Sequence, residues 1–122
     1  MFCIKKFVMN NCIFCRIINK EINSEIVYED DKVIVFKDIN PQAPIHLLIV
    51  PKRHIESINE INVEDKNIIG HIFIVVKEVA KKFNVDKCGY RVVVNTGRDA
   101  GQAVFHIHFH FLAGRELSWP PG

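Results

Sequence analysis

No apolar run in this 122-residue chain approaches the roughly 20 residues that a membrane-spanning helix needs. Charge of one sign is lacking too. Sixteen Lys and Arg stand against fourteen Asp and Glu, a net charge of +2. The basic residues are scattered rather than massed, which gives no case for a nucleic-acid partner. There is no internal repeat and no low-complexity stretch. The start, Met1-Phe2-Cys3-Ile4-Lys5-Lys6-Phe7-Val8, is mildly basic and apolar but lacks the length and cleavage site of a secretory signal. Cysteines are few: Cys3 and Cys88 have no evident partner, and the set of four points to a reducing cytoplasm. What remains is an ordinary globular composition, 48% hydrophobic and 25% charged, in a length that suits one domain with a sizeable core. The expected partner is a small anion, with neither nucleic acid nor membrane involved.

Five segments rich in branched and aromatic residues predict strands: Ile26 to Tyr28, Val33 to Phe36, Leu47 to Val50, Tyr90 to Val94 and Val104 to Leu112. Ile68, Ile69, Ile72, Phe73, Val76, Val79, Ala80 and Phe83 recur at helical spacing and predict one long helix. Asn62 is its plausible cap, and Lys77, Glu78, Lys81 and Lys82 face water. His71 lies off the apolar stripe and reads as a solvated helix residue. A short helical run begins at Cys12-Ile13-Phe14-Cys15 and continues through Ile17, Ile18 and Lys20. The fold class is α+β, a mostly antiparallel five-stranded sheet with one long and one short helix.

The functional signal is concentrated in His106-Ile107-His108-Phe109-His110-Phe111-Leu112. In an extended strand the three histidines share one face and Ile107, Phe109 and Phe111 the other. Neighbouring histidines then lie roughly 6.6 Å apart at the backbone, close enough for two imidazoles to converge on one phosphate-sized group. Three readings fit: a half-buried core strand, a metal site, or nucleophilic catalysis on phosphorus. The outer pair is about 13 Å apart along a flat strand, so one zinc could not take all three without a sharp bend. A nucleophilic imidazole must be neutral, and clustering disfavours charging several at once.

The loop Asn95-Thr96-Gly97-Arg98-Asp99-Ala100-Gly101-Gln102 precedes this run, and its glycines can turn successive backbone N–H groups toward an anion. Cys12-Ile13-Phe14-Cys15 has the spacing for two thiolates on one metal, though the same spacing also suits a redox pair or no site at all.

The segment His106 to Leu112 resembles the His-φ-His-φ-His-φ-φ signature, φ being apolar, of the histidine triad family of nucleotide-binding hydrolases and transferases. Phe36-Lys37-Asp38-Ile39-Asn40-Pro41-Gln42-Ala43-Pro44, His46-Leu47-Leu48-Ile49-Val50-Pro51-Lys52-Arg53-His54 and Trp119-Pro120-Pro121-Gly122 are similar to its Hint branch. The similarity starts near Cys12, which assigns residues 10–122 to one domain and leaves residues 1–9 as an extension or alternative start. It implies a sheet that continues across a two-fold homodimer, with the terminal Trp-Pro-Pro-Gly reaching toward the partner's site.

For the residues, the resemblance implies that His108 attacks the α-phosphorus of a purine nucleotide (AMP, GMP or an adenosine derivative) to form a nucleotidyl-histidine. His110 would donate to a phosphoryl oxygen and His46 would orient the set. Asp38 would bind the ribose hydroxyls, Phe14, Ile17, Phe36 and Ile39 would enclose the base, and Asn95, Gly101 and Gln102 would contact the phosphate. Bacterial-type relatives imply a structural zinc on Cys12, Cys15, His54 and His106, which leaves His108 and His110 to the phosphate. The implied activity is hydrolysis of purine nucleoside phosphoramidates of the AMP-lysine or AMP-amine type. Alternatives are a dinucleoside polyphosphate hydrolase and a non-catalytic, zinc-stabilised nucleotide sensor or scaffold. One departure stands out. Ala103 replaces a serine common in that loop, which implies slower turnover of substrates with basic amine leaving groups.

Overall fold

Val33-Ile34-Val35-Phe36 and His46-Leu47-Leu48-Ile49-Val50 are buried without interruption, the pattern of strands covered on both faces. They form β2 (Val33–Lys37) and β3 (Ile45–Pro51), the centre of a computed structural model that describes residues 11–122. The other elements are a short helix α1 (Ile13–Ile18), β1 (Ile26–Glu29), a long helix α2 (Lys66–Lys82), β4 (Tyr90–Val94) and β5 (Phe109–Ala113). All pairings are antiparallel, in the order β1-β2-β3-β5-β4. The expected extension 1–9 lies outside the described residues.

Strand alternation sorts the core into two layers. Val33, Val35, Leu47, Ile49, Phe109 and Phe111 face α2 and pack on Ile72, Val75, Val76 and Val79. The opposite face carries Ile34, Phe36, Leu48 and Val50, and there α1 supplies Phe14, Cys15 and Ile17 and its N-cap Cys12. Because side chains alternate, His46 on β3 and His110 on β5 fall on this second face. The register pairs Leu48 with His110 and His46 with Leu112, so the two histidines are diagonal neighbours across the ladder.

Three local expectations need correction. The last strand begins at Phe109 rather than Val104, so of the three histidines only His110 belongs to the sheet. Residues 104–108 bond elsewhere: Gln102 Nε2 donates to the Val104 carbonyl at 3.1 Å and Ile107 N–H to the Ile55 carbonyl at 2.6 Å. Asn62 opens a 3-10 turn, Val63–Asp65, that leads into α2, where the Asp65 carboxylate accepts from the Asn62 N–H at 2.9 Å. Phe73, assigned to the helix's apolar stripe, is 52% exposed although its ring lies 5.8 Å from that of Phe109.

His71 is not simply solvated. Its Nε2 lies 2.6 Å from Asp30 Oδ2 in the β1–β2 turn, and Tyr28 Oη donates to the same oxygen at 2.8 Å. Asp30 Oδ1 accepts from the N–H groups of Lys32 and Val33, both at 2.8 Å. Burial alone would raise the Asp30 carboxyl, but the bonds from His71 and these donors hold it well below the ordinary carboxylate range. Among the described residues no helix is long and apolar enough to cross a membrane.

Candidate functional site

Leaving the sheet at Phe109 lets the chain aim its three histidines at different targets. His106 is fully buried and turned toward α1. Its Nε2 lies 2.8 Å from the Pro51 carbonyl, a group that can only accept, so the proton sits on Nε2 and Nδ1 carries the lone pair. Nδ1 faces Cys12 Sγ at 3.4 Å, Cys15 Sγ at 3.5 Å and His54 Nδ1 at 3.1 Å, and His54 Nδ1 is 3.3 Å from Cys15 Sγ. The four ligand atoms lie within 4.8 Å of one another.

Tetrahedral bonds of about 2.0 Å to nitrogen and 2.3 Å to sulfur put ligand atoms roughly 3.3 to 3.8 Å apart. The observed separations therefore fit one metal held by two thiolates and two imidazoles. The His106 bond to Pro51 is the outer-sphere contact that would fix its ring. The hydrogen bond from Cys15 pushes the Cys12 thiol down despite burial, and donating that bond, together with burial, pushes Cys15 up.

His108 is buried, with its ring 5.0 Å from that of Phe14 in an edge-on arrangement. Its Nδ1 lies 2.8 Å from the His106 carbonyl, so Nδ1 holds the proton and Nε2 presents a lone pair. Burial pushes this imidazole below the ordinary histidine value, and the His106 carbonyl opposes the shift only in part. The result is a neutral, oriented base at neutral pH.

Gln42 N–H donates to His46 Nδ1 at 3.0 Å, so the His46 proton is on Nε2. That N–H faces His110 Nδ1 at 3.0 Å and Asp38 Oδ2 at 3.4 Å. His110 Nδ1 therefore accepts, and its Nε2 keeps a proton to offer outward. Burial, then His108 and His46, push His110 down to about 4. Burial also lowers His46, opposed by Asp38. Asp38, His46 and His110 are close enough to resemble a metal site. The Gln42 N–H argues against one, because a metal on His46 Nε2 would need the proton that this donor keeps off Nδ1.

The remaining expected contacts divide. Asp38 Oδ1 accepts from the Asn40 N–H at 2.8 Å, which fixes the carboxylate beside His46. Phe14, Ile17 and Phe36 are buried on the histidine side of the sheet, with Phe14 and Phe36 5.5 Å apart edge to face. Ile39 projects into solvent, 98% exposed. Asn95 follows β4, half-buried. Gly101 takes the left-handed conformation at φ 81° and gives its N–H to the Arg98 carbonyl at 3.0 Å.

Gln102 is already committed. Its Oε1 accepts from Gly97 N–H at 3.0 Å, its Nε2 donates to the Glu56 and Val104 carbonyls at 2.7 and 3.1 Å, and its own N–H donates to Gly97 at 3.0 Å. It shapes the loop from inside, with its side-chain amide and its backbone N–H all bonded within the protein. The groups that sequence reasoning missed are backbone ones: the carbonyls of Pro51 and His106 and the N–H of Gln42. No side-chain identity could have marked them.

Known proteins resemble this chain in sequence and in fold. A family profile described as scavenger mRNA decapping enzyme, C-terminal binding, matches residues 11–118. An HIT-like protein of Synechococcus elongatus is 46% identical over 110 residues, 90% of this chain and 96% of that protein. The crystal structure of an HIT family hydrolase from Legionella pneumophila superposes with a TM-score of 0.90 at 46% identity, covering 92% of this chain and all of that one. A histidine triad nucleotide-binding protein from Candida albicans gives a TM-score of 0.78 at 37% identity, covering 89% of this chain and 82% of that one. With His106, His108 and His110 in its signature positions and Cys12 and Cys15 facing the first of them, the chain belongs to the histidine triad family.

Proposed function

We propose that this protein hydrolyses purine nucleoside phosphoramidates, of the AMP-lysine or AMP-amine type, through a nucleotidyl intermediate on His108. The single observation that carries the reading is the His108 Nδ1 contact with the His106 carbonyl, which leaves a neutral Nε2 lone pair beside a donor on His110. The lone pair attacks the α-phosphorus and forms a P–N bond as the bond to the amine breaks. His108 becomes cationic, and its Nδ1–H bond to the carbonyl strengthens at that moment. His110 Nε2–H donates to a phosphoryl oxygen, and the departing amine takes its proton from water. Water then attacks phosphorus, releases the nucleotide and returns His108 to its neutral form.

Asp38 binds the ribose hydroxyls by accepting from both. Phe14, Ile17, Phe36 and the exposed Ile39 enclose the base, and Asn95 and Gly101 border the phosphate. Zinc on Cys12, Cys15, His54 and His106 supplies structure, joining α1 to the segment that carries His108. Two copies join along β4, an edge strand of the sheet in this chain. Trp119, 79% exposed and set 5.9 Å from the Arg91 guanidinium, extends from that edge toward the partner. The working compartment is a reducing cytoplasm.

The test is a single-turnover reaction with an adenosine phosphoramidate, read by mass spectrometry. Wild-type protein gains the mass of one AMP transiently, whereas His108→Ala gains none and loses at least about a thousandfold in rate. Tight AMP binding without adduct or turnover in the wild type would leave a nucleotide sensor in place of the enzyme.

A further inference from the structure

The proton arrangement of His46 and His110 is set by the Gln42 N–H on His46 Nδ1 and by the Asp38 carboxylate 3.4 Å from His46 Nε2, and both groups belong to the Asp38–Pro44 loop. We propose that Gly114 and Arg115, just past β5, clamp this loop and so act as positioning residues for His110. The inference rests on the reading of His110 as the phosphoryl donor.

Two independent contacts make the clamp. Arg115 donates from one guanidinium nitrogen to the Gln42 carbonyl and from the other to the Glu116 carbonyl, both at 2.9 Å. The fork holds the loop to the turn that follows the catalytic strand. Gly114 has φ +97°, and a Cβ built there would meet Pro44 Cβ at 2.8 Å. The loop thus lies directly against the backbone, at a position only glycine serves without strain. Ile45 pairs with Ala113 immediately inside this contact, so the clamp sits at the end of the β3–β5 ladder, one residue from His46.

The consequence follows along the hydrogen bonds. With the loop held, Gln42 N–H donates to His46 Nδ1, His46 Nε2–H donates to His110 Nδ1, and the outer nitrogen of His110 carries a proton. With the loop released, His46 can move its proton to Nδ1. Its Nε2 lone pair then faces His110, which must place its own proton on Nδ1. The outer nitrogen of His110 then meets a phosphoryl oxygen with a lone pair, lone pair against lone pair, and donation is lost.

Nitrogen-15 spectra of the full-length protein near pH 7.5 report which ring nitrogen of each histidine is protonated. Wild type should show both His46 and His110 protonated on Nε2. In Arg115→Met a measurable share of both should move to Nδ1, and AMP transfer to His108 should slow about three- to tenfold, the worth of one exposed hydrogen bond. Arg115→Lys, which keeps one donor, should recover part of each. Gly114→Ala, which pushes Pro44 away, should shift the spectra further in the same direction. Unchanged spectra and transfer rate in Arg115→Met, with the melting temperature retained, would overturn the clamp. The spectra need no substrate, so an absent adduct in wild type would defeat the proposed reaction while the clamp is still tested.

Discussion

At the scale of single residues, the role of each histidine is decided by what its second ring nitrogen holds. His106 gives Nε2–H to Pro51 and turns a lone pair on the cysteines. His108 gives Nδ1–H to a carbonyl and keeps Nε2 free. His110 accepts on Nδ1 and keeps a donor. For His108 and His110 these roles require uncharged rings, and burial supplies that condition at a cost that depends on pH. An unfolded histidine takes a proton near pH 6.5, whereas His110 resists down to about 4. The unfolded state therefore binds more protons throughout that interval, and stability falls as pH drops from 6.5 toward 4 and is indifferent to this group above 6.5. Melting curves at pH 7.5, 5.5 and 4.5 should show wild type losing stability faster than His110→Asn, whose amide can still accept from His46. Parallel losses in the two proteins would mean that His110 is not held neutral by the fold.

At the scale of elements, the β1–β2 turn and α2 meet through one carboxylate. Asp30 accepts from Tyr28, from His71 and from two backbone N–H groups that shape the turn. Asp30→Asn keeps the size but cannot accept from all four, and two donors lose a partner near the surface. We expect a loss of about 1 to 3 kcal/mol, measured by urea unfolding, with AMP binding unchanged because the turn lies at the end of β3 away from His46. A change below about 0.5 kcal/mol would show the turn to be held by its backbone alone.

This contact also marks where the sequence stops being readable. The five strands follow from runs of branched and aromatic residues between turns, and the long helix from a period of 3.6, both of which one sequence displays directly. The metal-type cluster was legible through Cys12-x-x-Cys15. The partition of His106 from His108 was visible only through the resemblance, because alternation alone puts them on one face and the break at Phe109 comes from bonds to Ile55 and Gln102. His71 gave no signal, since its partner is 41 residues away. The amide of Gln42 and the carbonyls of Pro51 and His106 have no side-chain signature at all.

At the scale of the whole molecule, the Cys12, Cys15, His54 and His106 cluster gathers α1, the segment after β3 and the segment before β5. A metal bound there stabilises the fold by mass action, because the unfolded chain does not hold four ligands together. At 100 times its dissociation constant the contribution is about 2.7 kcal/mol, or on the order of 10 °C in melting temperature for a domain of this size. Protein purified without chelator should carry close to one zinc per chain. Removing it with a strong chelator should lower the melting temperature by about that amount and free two thiols for titration, and Cys12→Ser should melt like the stripped protein. Because the His106 carbonyl orients His108, stripping should also slow AMP transfer at temperatures where the fold remains intact. A chain purified without zinc, with both thiols titrating freely and a melting temperature insensitive to chelator, would show that α1 is held by Phe14 and Ile17 alone, and the link from metal to nucleophile would go with it.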